Sequence, residues 1–508
     1  MKKFCTRHII PFSYKCDGGF AEVCQTLEYN GNWEKSAPIP GEQDIYGYMN
    51  HAISPRENKA NVGHSLDYIR KDDKGRVLRL LWCRKDENVE IIIKNSGLYL
   101  FRTGIGFFWN EIEVQKDDLT CDELVLLQNK LKEYNHTGNF RSFYEIVSDS
   151  ETSPSEEYDY CTLRRMAHID GKEQPMYYGC RRFTMGNWVA RVLQDLKCNI
   201  VFYPQRKNCF STIVDMPRDL FAPTAPDKAL LFNYVVVDDP ASAEGISDSI
   251  HSLEELAFYL TNGYKDSYQM NPDETNRMYK PFANAYWYVT KSGCGYYIQP
   301  NKKNEAFFTG TMPQKVMQDY FSLYVLLLYQ NYTLLKYAGE IEDILSADEA
   351  DYLDDSKDFS AVLEELKTRI NVFLVKSVYA SVSHIQHQNG FYEYAEHMIG
   401  IKKDIESITI GLESLEELHR TKKAEQREAE TRKRQNQLSL GMGALSLLAI
   451  FSAFVDGIGF VDTMQAFWIG KSFSELIAYG IILLIVLFVS VYAAARFVIS
   501  LLESRKNN

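Results

Sequence analysis

Two uncharged apolar runs near the C-terminus constrain this chain more than any other feature. The first runs from Leu438 to Val455, and eighteen helical residues at ~1.5 Å each span ~27 Å, on the short side of a bilayer's hydrocarbon core. The second, from Leu476 to Ala495, is rich in Ile, Leu and Val. We therefore predict transmembrane helices at residues 437–455 and 476–495, with an outer loop at 456–475 and a cytosolic tail at 496–508.

The charges around these runs predict their orientation. The basic residues before the first run are Lys422, Lys423, Arg427, Arg432, Lys433 and Arg434, and those after the second are Arg496, Arg505 and Lys506. The intervening loop carries Asp456, Asp462 and Glu475 against Lys471. Because basic residues stay on the cytoplasmic side of a membrane, both termini are expected in the cytosol. The charged N-terminus has no apolar stretch behind it, so no signal peptide is predicted.

A heptad pattern precedes the first run. Its apolar residues recur at steps of three and four, which places them along one side of a helix. These residues, the stalk seam, are Met398, Ile401, Ile405, Ile408, Leu412 and Leu415. The pattern predicts one helix from about Tyr394 to Val455. If the stalk seam is exposed on that helix, copies of the chain are expected to associate through it.

The remaining sequence predicts an α/β or α+β cytosolic domain at residues 1–312. Its strand patterns are Val77–Trp82, Val89–Ile93, Leu98–Arg102, Gly106–Val114, Leu230–Val237 and a hairpin of Asn284–Thr290 with Gly295–Gln299. Its helical patterns are Cys121–Tyr134, Gly186–Lys197 and Ser252–Leu260. Asn95-Ser96-Gly97 is read as a turn, and residues 1–75 give only weak strand signals.

Helical patterns dominate from residue 313. Residues 313–436 are predicted to form a helical bundle and stalk, interrupted by an acidic link at 340–358. Tyr320–Tyr337 fits a buried bundle helix, since Gln330 and Lys336 interrupt its apolar character. Another helix is predicted from Phe359 to about Gln388, ended by Asn389-Gly390.

Composition excludes several classes of function. A net charge of -12 argues against a nucleic-acid binder, which needs an accumulated positive surface. The ten cysteines precede the apolar runs and form no CxxC pair, which fits a reducing compartment and argues against a zinc or disulfide framework. GxxxxGK[ST], HExxH and GxSxG are absent, so no enzyme activity is predicted.

The order of parts resembles the CorA superfamily of two-transmembrane divalent-cation channels. The phrase from Leu98 to Phe108 also looks like a strand-turn-strand segment of bacterial CorA-like proteins. The resemblance implies a homopentameric channel in the bacterial inner membrane that conducts Mg²⁺ or another divalent cation. Asp456-Gly457-Ile458-Gly459 stands where family members usually carry Gly-Met-Asn, which leaves magnesium selectivity open.

One subgroup of CorA-like proteins agrees with the absence of Gly-Met-Asn. Some CorA-like proteins are encoded beside type III CRISPR systems and resemble antiviral membrane effectors that answer a nucleotide second messenger. A missing selectivity motif and a large sensor domain agree with such a protein. The resemblance therefore adds a small nucleotide as an expected ligand, by analogy alone.

Two sets of residues are candidates for the pore. The mouth would contain Asp456, Gly457, Gly459 and Asp462, because carboxylates repeated around an axis concentrate cations; alternatively, the acids only mark the end of an apolar run. The lining that continues the stalk seam would be Asn436, Leu440, Gly443, Leu447, Ile450 and Phe454. A neighbouring small-residue face of Ser439, Gly443, Ser446 and Ala453 could instead line the pore or pack against another helix.

Two further sets are candidates for ligands. In the acidic link, Asp348, Glu349, Asp351, Asp354 and Asp355 could hold a divalent cation, although a solvated charged turn is the simpler explanation. Arg181, Arg182, Trp188 and Arg191 would suit a phosphate-bearing ligand, although packing and solubility explain them as well. The rival to a channel is a membrane-anchored ligand-binding or scaffold protein without a pore.

Overall fold

The computed structural model describes most of the chain. The described residues are 3–15, 19–35, 65–70, 77–84, 87–114, 119–134, 142–146, 164–169, 172–177, 185–203, 228–237, 250–264, 268–346 and 359–467, with single helical positions between 478 and 496. The chain divides into two compact units, Met1–Leu412 and Glu413–Asn508. We call the first unit the body.

The described strands form a 12-stranded sheet and a separate two-stranded hairpin. The strands are β1 Lys3–Lys15, β2 Trp33–Lys35, β3 Ser65–Arg70, β4 Val77–Arg84, β5 Glu87–Phe101, β6 Ile105–Val114, β7 Ser142–Ile146, β8 Arg164–Ile169, β9 Lys172–Tyr177, β10 Asn199–Phe202, β11 Leu230–Val236, β12 Tyr279–Phe282, β13 Ala285–Thr290 and β14 Gly293–Ile298. Along the main sheet the order is β12-β13-β14-β11-β1-β6-β5-β3-β2, with β4, β7 and β10 off this path.

The helices lie between the strands and at the C-terminal end. They are α1 Gly19–Asn30, α2 Cys121–Lys132, α3 Met185–Leu193, α4 Leu253–Asn262, α5 Phe321–Ser346, α6 Phe359–Ser377, α7 Gln386–Ile399 and α8 Ile401–Phe467. Two π-helical segments, Phe307–Thr311 and Val316–Tyr320, precede α5, with the single α-helical turn Met312–Lys315 between them. The predicted mixed α/β class, with a sheet followed by C-terminal helices, is confirmed.

Strand β1 is the centre of the sheet, although its residues carry only a weak strand pattern. It pairs antiparallel with β6 on one side and with β11 and β10 on the other. Its buried face carries Thr6 and His8 among apolar residues, and Pro11 lies within it. These three residues break the apolar pattern by which a strand is usually recognised.

Helices cover both faces of the sheet. Ile10 and Phe12 of β1 share an apolar cluster with Val23 of α1 and Val189 of α3. Leu124 of α2 and Leu256 of α4 pack in a second cluster with Val235 and Tyr297. On the opposite face, the ring of Phe101 stacks on Tyr329 of α5 with centroids 3.9 Å apart, and Trp109 meets Phe321 edge to face at 5.8 Å. The body therefore has a helix, sheet and helix layering.

The predicted turn at Asn95-Ser96-Gly97 is wrong. Strand β5 runs through these residues, and its pairing with β6 shifts between Ile93 and Asn95, as in a β-bulge. The glycine is explained by packing, because a Cβ at position 97 would lie 2.3 Å from the indole of Trp109.

The predicted helix from Phe359 to Gln388 is also wrong, because it is two helices. Helix α6 ends at Ser377 and α7 begins at Gln386. The side-chain oxygen of Asn389 accepts hydrogen bonds from the backbone amides of Val382 and Ser383, at 2.9 and 3.0 Å. Asn389-Gly390 lies inside α7, where it holds the connecting segment rather than ending a helix.

The other predicted helices and strands of the body are confirmed to within a few residues, except that α5 continues past Tyr337 to Ser346 and includes the start of the predicted acidic link at 340–358. Helix α2 begins with a capping box, in which Thr120 and Glu123 each accept from the other's backbone amide. Helix α4 follows Ser252 as its N-cap, and α5 contains the buried stretch read as a bundle helix. Gly104 lies in the turn between β5 and β6, and Ile105-Gly106 begins β6, so the phrase from Leu98 to Phe108 does form a strand, a turn and a strand.

Candidate functional site

The candidate site centres on helix α8, which contains the residues predicted to line a pore. The helix is 67 residues long and begins at Ile401, not near Tyr394. Gly400 separates it from α7 with a φ of +93°, and its amide caps α7 by donating to the carbonyl of Glu396. The predicted single helix is therefore interrupted at a residue whose conformation favours glycine.

The stalk seam is covered in part within the single chain, whereas the sequence predicts an open seam. Ile401, Ile408 and Leu415 are buried, and Met398, Ile405 and Leu412 are partly buried. A Cβ on Gly411 would lie 3.4 Å from Ile341 at the end of α5, so the first turns of α8 pack against that helix. Heptad spacing predicts a partner for a helix, but it cannot distinguish a second chain from another part of the same chain.

The β13–β14 hairpin contacts α7 beside the start of α8. The amide of Val289 on β13 donates to the hydroxyl of Tyr394 on α7 at 3.2 Å, and Trp287 packs on Phe391 with ring centroids 4.3 Å apart. Partial burial raises the pKa of Asp404 on α8, and the nearby charge of Lys291 in the hairpin turn opposes that shift. The sheet is thus connected to both helices that meet at Gly400.

Helix α8 is almost free of contacts where it approaches the apolar run. From Lys423 to Met442 every side chain is exposed in the single chain, including Asn436 and Leu440. Large apolar side chains with exposed fractions of 52 to 69% follow: Leu438, Leu440, Met442, Leu445, Leu447 and Leu448. Gly443 is buried and Ile450 is partly buried, whereas the side chain of Phe454 lies outside the described residues.

The predicted pore mouth lies within the helix. Asp456, Gly457, Gly459 and Asp462 all belong to α8, which continues to Phe467, so the prediction that the helix ends at Val455 is wrong. Their side chains lie outside the described residues.

The second apolar run is described only at single positions. Its large exposed side chains include Ile481, Ile482, Ile485, Val486, Phe488 and Val489, at 53 to 73%. Within the described residues, no helix combines the length and the apolar character needed to cross a membrane.

The predicted ligand sets fall mainly outside the described residues. Arg181, Arg182 and the five acids from Asp348 to Asp355 lie there, and so do the side chains of Trp188 and Arg191, whose backbones belong to α3. Elsewhere in the described part of the chain, no group of three or more His, Cys, Asp or Glu side chains is placed to hold a metal ion.

A row of buried polar side chains crosses the sheet, and sequence reasoning missed it. Ser96, Asn110 and His8 are direct neighbours on β5, β6 and β1. Ser96 donates to Asn110 at 2.8 Å, Asn110 donates to the Tyr134 hydroxyl at 3.3 Å, and that hydroxyl is hydrogen-bonded to Nδ1 of His8 at 3.2 Å. Burial lowers the pKa of His8 to about 3, partly offset by hydrogen bonding to Gln128.

The row continues toward α4. Gln128 donates to the side-chain oxygens of Thr6 and Asn233, at 3.1 and 2.6 Å, and Asn233 donates to the Tyr297 hydroxyl at 3.3 Å. Tyr297 and Thr261 are hydrogen-bonded at 2.7 Å, which ends the row. Thr6 and Asn233, which are hydrogen-bonded to each other, lie 227 residues apart, so no local signal in the sequence could have grouped the members of the row. Such a network specifies one strand arrangement and supplies no exposed reactive group.

No protein-family model, curated protein or solved structure matches this chain. Function must therefore be inferred from its own sequence and geometry.

Proposed function

We propose that the chain is the subunit of a homo-oligomeric, CorA-like cation channel, expected to be a pentamer in the bacterial inner membrane with both termini cytosolic. One observation carries the proposal. Helix α8 runs without a break from the body to the uncharged run, where six large apolar side chains are exposed in the single chain. Contiguous exposed apolar surface of this kind marks contact with lipid or protein.

Hydrogen bonds of serine side chains within the helix support the same proposal. The hydroxyls of Ser439 and Ser446 donate to the carbonyls of Asn436 and Met442, each at 2.9 Å. Polar atoms that bond to their own helix need no water, so they are compatible with an apolar environment.

The exposed side chains favour one side of the pore helix as the lining. A residue that faces the axis of an oligomer should be exposed in an isolated subunit, as Leu440 and Leu447 are. Gly443 lies between them on the same side and is covered within its own chain. We therefore assign the side that carries Leu440 and Leu447 to the axis.

The body would control conduction through α7 and α8. A divalent cation, with Mg²⁺ the first candidate, is the proposed permeant ion, and Asp456 and Asp462 would form the acidic mouth. A nucleotide second messenger is the proposed activating ligand, as in a CRISPR-associated antiviral effector. Arg181, Arg182, Trp188 and Arg191 remain the proposed ligand contacts, and the acids from Asp348 to Asp355 a proposed regulatory cation site.

Divalent-cation flux into dye-loaded liposomes tests the proposal. Purified protein should carry flux, and Asp456→Ala should reduce it, whereas Asp273→Ala, at an exposed position of the body, should leave it unchanged. A rise on adding cytosolic nucleotide fractions would support the messenger. Absence of flux under all these conditions would contradict a channel.

The alternative is a membrane-anchored receptor or scaffold without a pore. The partial burial of the stalk seam favours it, because the buried seam residues are already covered within one chain. A monomer in detergent, together with absence of flux, would support this alternative.

A further inference from the structure

The stretch of α8 from Lys423 to Gln437 lacks the contacts that usually stabilise a helix. Every side chain in it is exposed, and Ala424 and Ala429 are its only apolar residues. A helix that is polar all round normally depends on ion pairs or on a partner. Arg420 pairs with Glu416 at 3.7 Å just before this stretch. Within the described residues, Lys423, Glu425, Arg427 and Glu428 form no ion pair.

The charges of this stretch are sorted onto two sides of the helix. Successive helical residues turn by about 100°, so positions three, four or seven apart share a face. Arg420, Lys423 and Arg427 therefore share one side, and Glu430 follows on it. We call this side face A.

The opposite side carries the opposite charges. Glu425 is two positions from both Lys423 and Arg427, which places it about 160° around the helix from them. Glu428 and Arg432 lie on the same side as Glu425. We call this side face B. From base to top, face A reads basic at Arg420, Lys423 and Arg427, acidic at Glu430 and basic again at Arg434, and face B reads acidic, acidic, basic.

The two faces are complementary at equal heights. In a ring of subunits related by rotation, face A of one stalk would meet face B of the next without a shift along the axis. Lys423 and Arg427 would then lie beside Glu425 and Glu428. Glu430 would lie beside Arg432, so the reversal of charge on one face is matched by a reversal on the other.

We propose that this stretch is the stalk interface between copies of the chain, formed by face A of one subunit against face B of its neighbour. The proposal rests on the oligomer of the proposed function, and it replaces the stalk seam as the source of association. Anionic lipid is a poorer occupant, because Glu425, Glu428 and Glu430 are interspersed with the basic residues and would be repelled by its headgroups. Each contact of this kind joins two different faces, and repeated contacts between different faces close into a ring. A two-fold dimer would instead need the same face on both subunits.

Charge exchange tests the interface. The full chain in detergent is compared by light scattering as wild type, Glu425→Lys/Glu428→Lys, Lys423→Glu/Arg427→Glu, and the combination of all four substitutions. Each pair should place like charges opposite each other and convert the oligomer to monomer. The combination restores opposite charges and should restore the oligomer. Lys433→Glu, which lies between the two faces, is the matched control and should remain oligomeric.

Salt supplies an independent readout. At about 1 M salt the Debye length is about 3 Å, so the wild-type oligomer should dissociate. Oligomers retained by both pair variants would overturn the proposal, and so would a combination that stays monomeric while retaining the wild-type circular dichroism spectrum. If the pairs stay oligomeric and Lys423→Glu/Arg427→Glu loses binding to phosphatidylglycerol vesicles, the basic residues belong to a lipid contact. This test measures association and is independent of flux. A salt-sensitive ring that carries no flux in the liposome assay would therefore overturn the channel and leave the interface.

Discussion

The hydroxyl of Tyr394 on α7 accepts a hydrogen bond from the backbone amide of Val289 on β13, at 3.2 Å. The ring of Tyr394 also stacks near Tyr279 of β12, with centroids 5.7 Å apart. One side chain thereby ties two strands at the end of the sheet to the helix that precedes Gly400. A change in the position of these strands would therefore move α7 and the start of α8.

Tyr394→Phe should loosen this tie without removing the ring. The Val289 amide loses its acceptor in a partly buried place, which we expect to cost about 1 kcal/mol. Hydrogen–deuterium exchange of the peptide that contains β13 should speed up, while exchange in β1 stays slow. Tyr29→Phe is the control, because Tyr29 is 92% exposed. Unchanged exchange in β13 would show that the hydrogen bond does not hold the strand.

Gly97→Ala should destabilise the body strongly for a substitution of one methyl group. The new Cβ would lie 2.3 Å from the Trp109 indole, so the ring or the strand must move. Overpacking of this kind typically costs about 1–3 kcal/mol, and the denaturant midpoint should fall accordingly. Gly339→Ala is the matched control, because nothing lies within 4 Å of its Cβ position in α5, and it should leave the midpoint unchanged or raise it. Equal midpoints for the two variants would contradict the packing.

Gly97 also shows where reading the sequence failed and why. Asn-Ser-Gly is ordinary turn chemistry, and nothing local reveals that Trp109 on the next strand requires a residue without a side chain. Asn389-Gly390 misled in the same way, because its contacts are to a segment that precedes it and to Tyr279. Helices such as α2 and α4 were predictable, since their caps and apolar spacing are encoded within a few residues.

The candidate site was predictable in part for a similar reason. An uncharged run and a basic stretch are properties of consecutive residues, so the position of the apolar part of α8 followed from the sequence. The packing of the first turns of α8 against α5 did not follow from the sequence, because Ile341 lies far away in the chain. The polar row was hidden for the same reason, and its polar members concealed strand β1.

Acid should destabilise the body through His8. The unfolded histidine has a pKa near 6.5, whereas burial lowers that of the folded one to about 3. As pH falls from 6.5 toward 3, the unfolded chain therefore takes up the proton first, and the fold loses about 1.4 kcal/mol per pH unit.

His8→Asn should reduce this loss. The midpoint of urea unfolding, measured between pH 6.5 and 4, should fall more steeply for wild type than for this variant. The exposed His397, changed to Asn, serves as the control and should follow the wild-type curve. Parallel curves for all three proteins would exclude His8 as the group responsible.

Leu440→Ser should raise ion flux if Leu440 faces the axis of the proposed channel. An apolar constriction blocks ions by expelling water, and a hydroxyl on each subunit would place a ring of polar groups there and allow it to hydrate. Leu438→Ser is the matched control, because the two side chains are similarly exposed, at 68 and 61%, but point to different sides of α8. Flux into dye-loaded liposomes in the absence of activating ligand should therefore rise for Leu440→Ser and stay at the wild-type level for Leu438→Ser. The reverse result would mean that Leu438 faces the axis, so that the pore helix is rotated by roughly half a turn from the proposed orientation. No rise in either variant would mean that the constriction lies elsewhere.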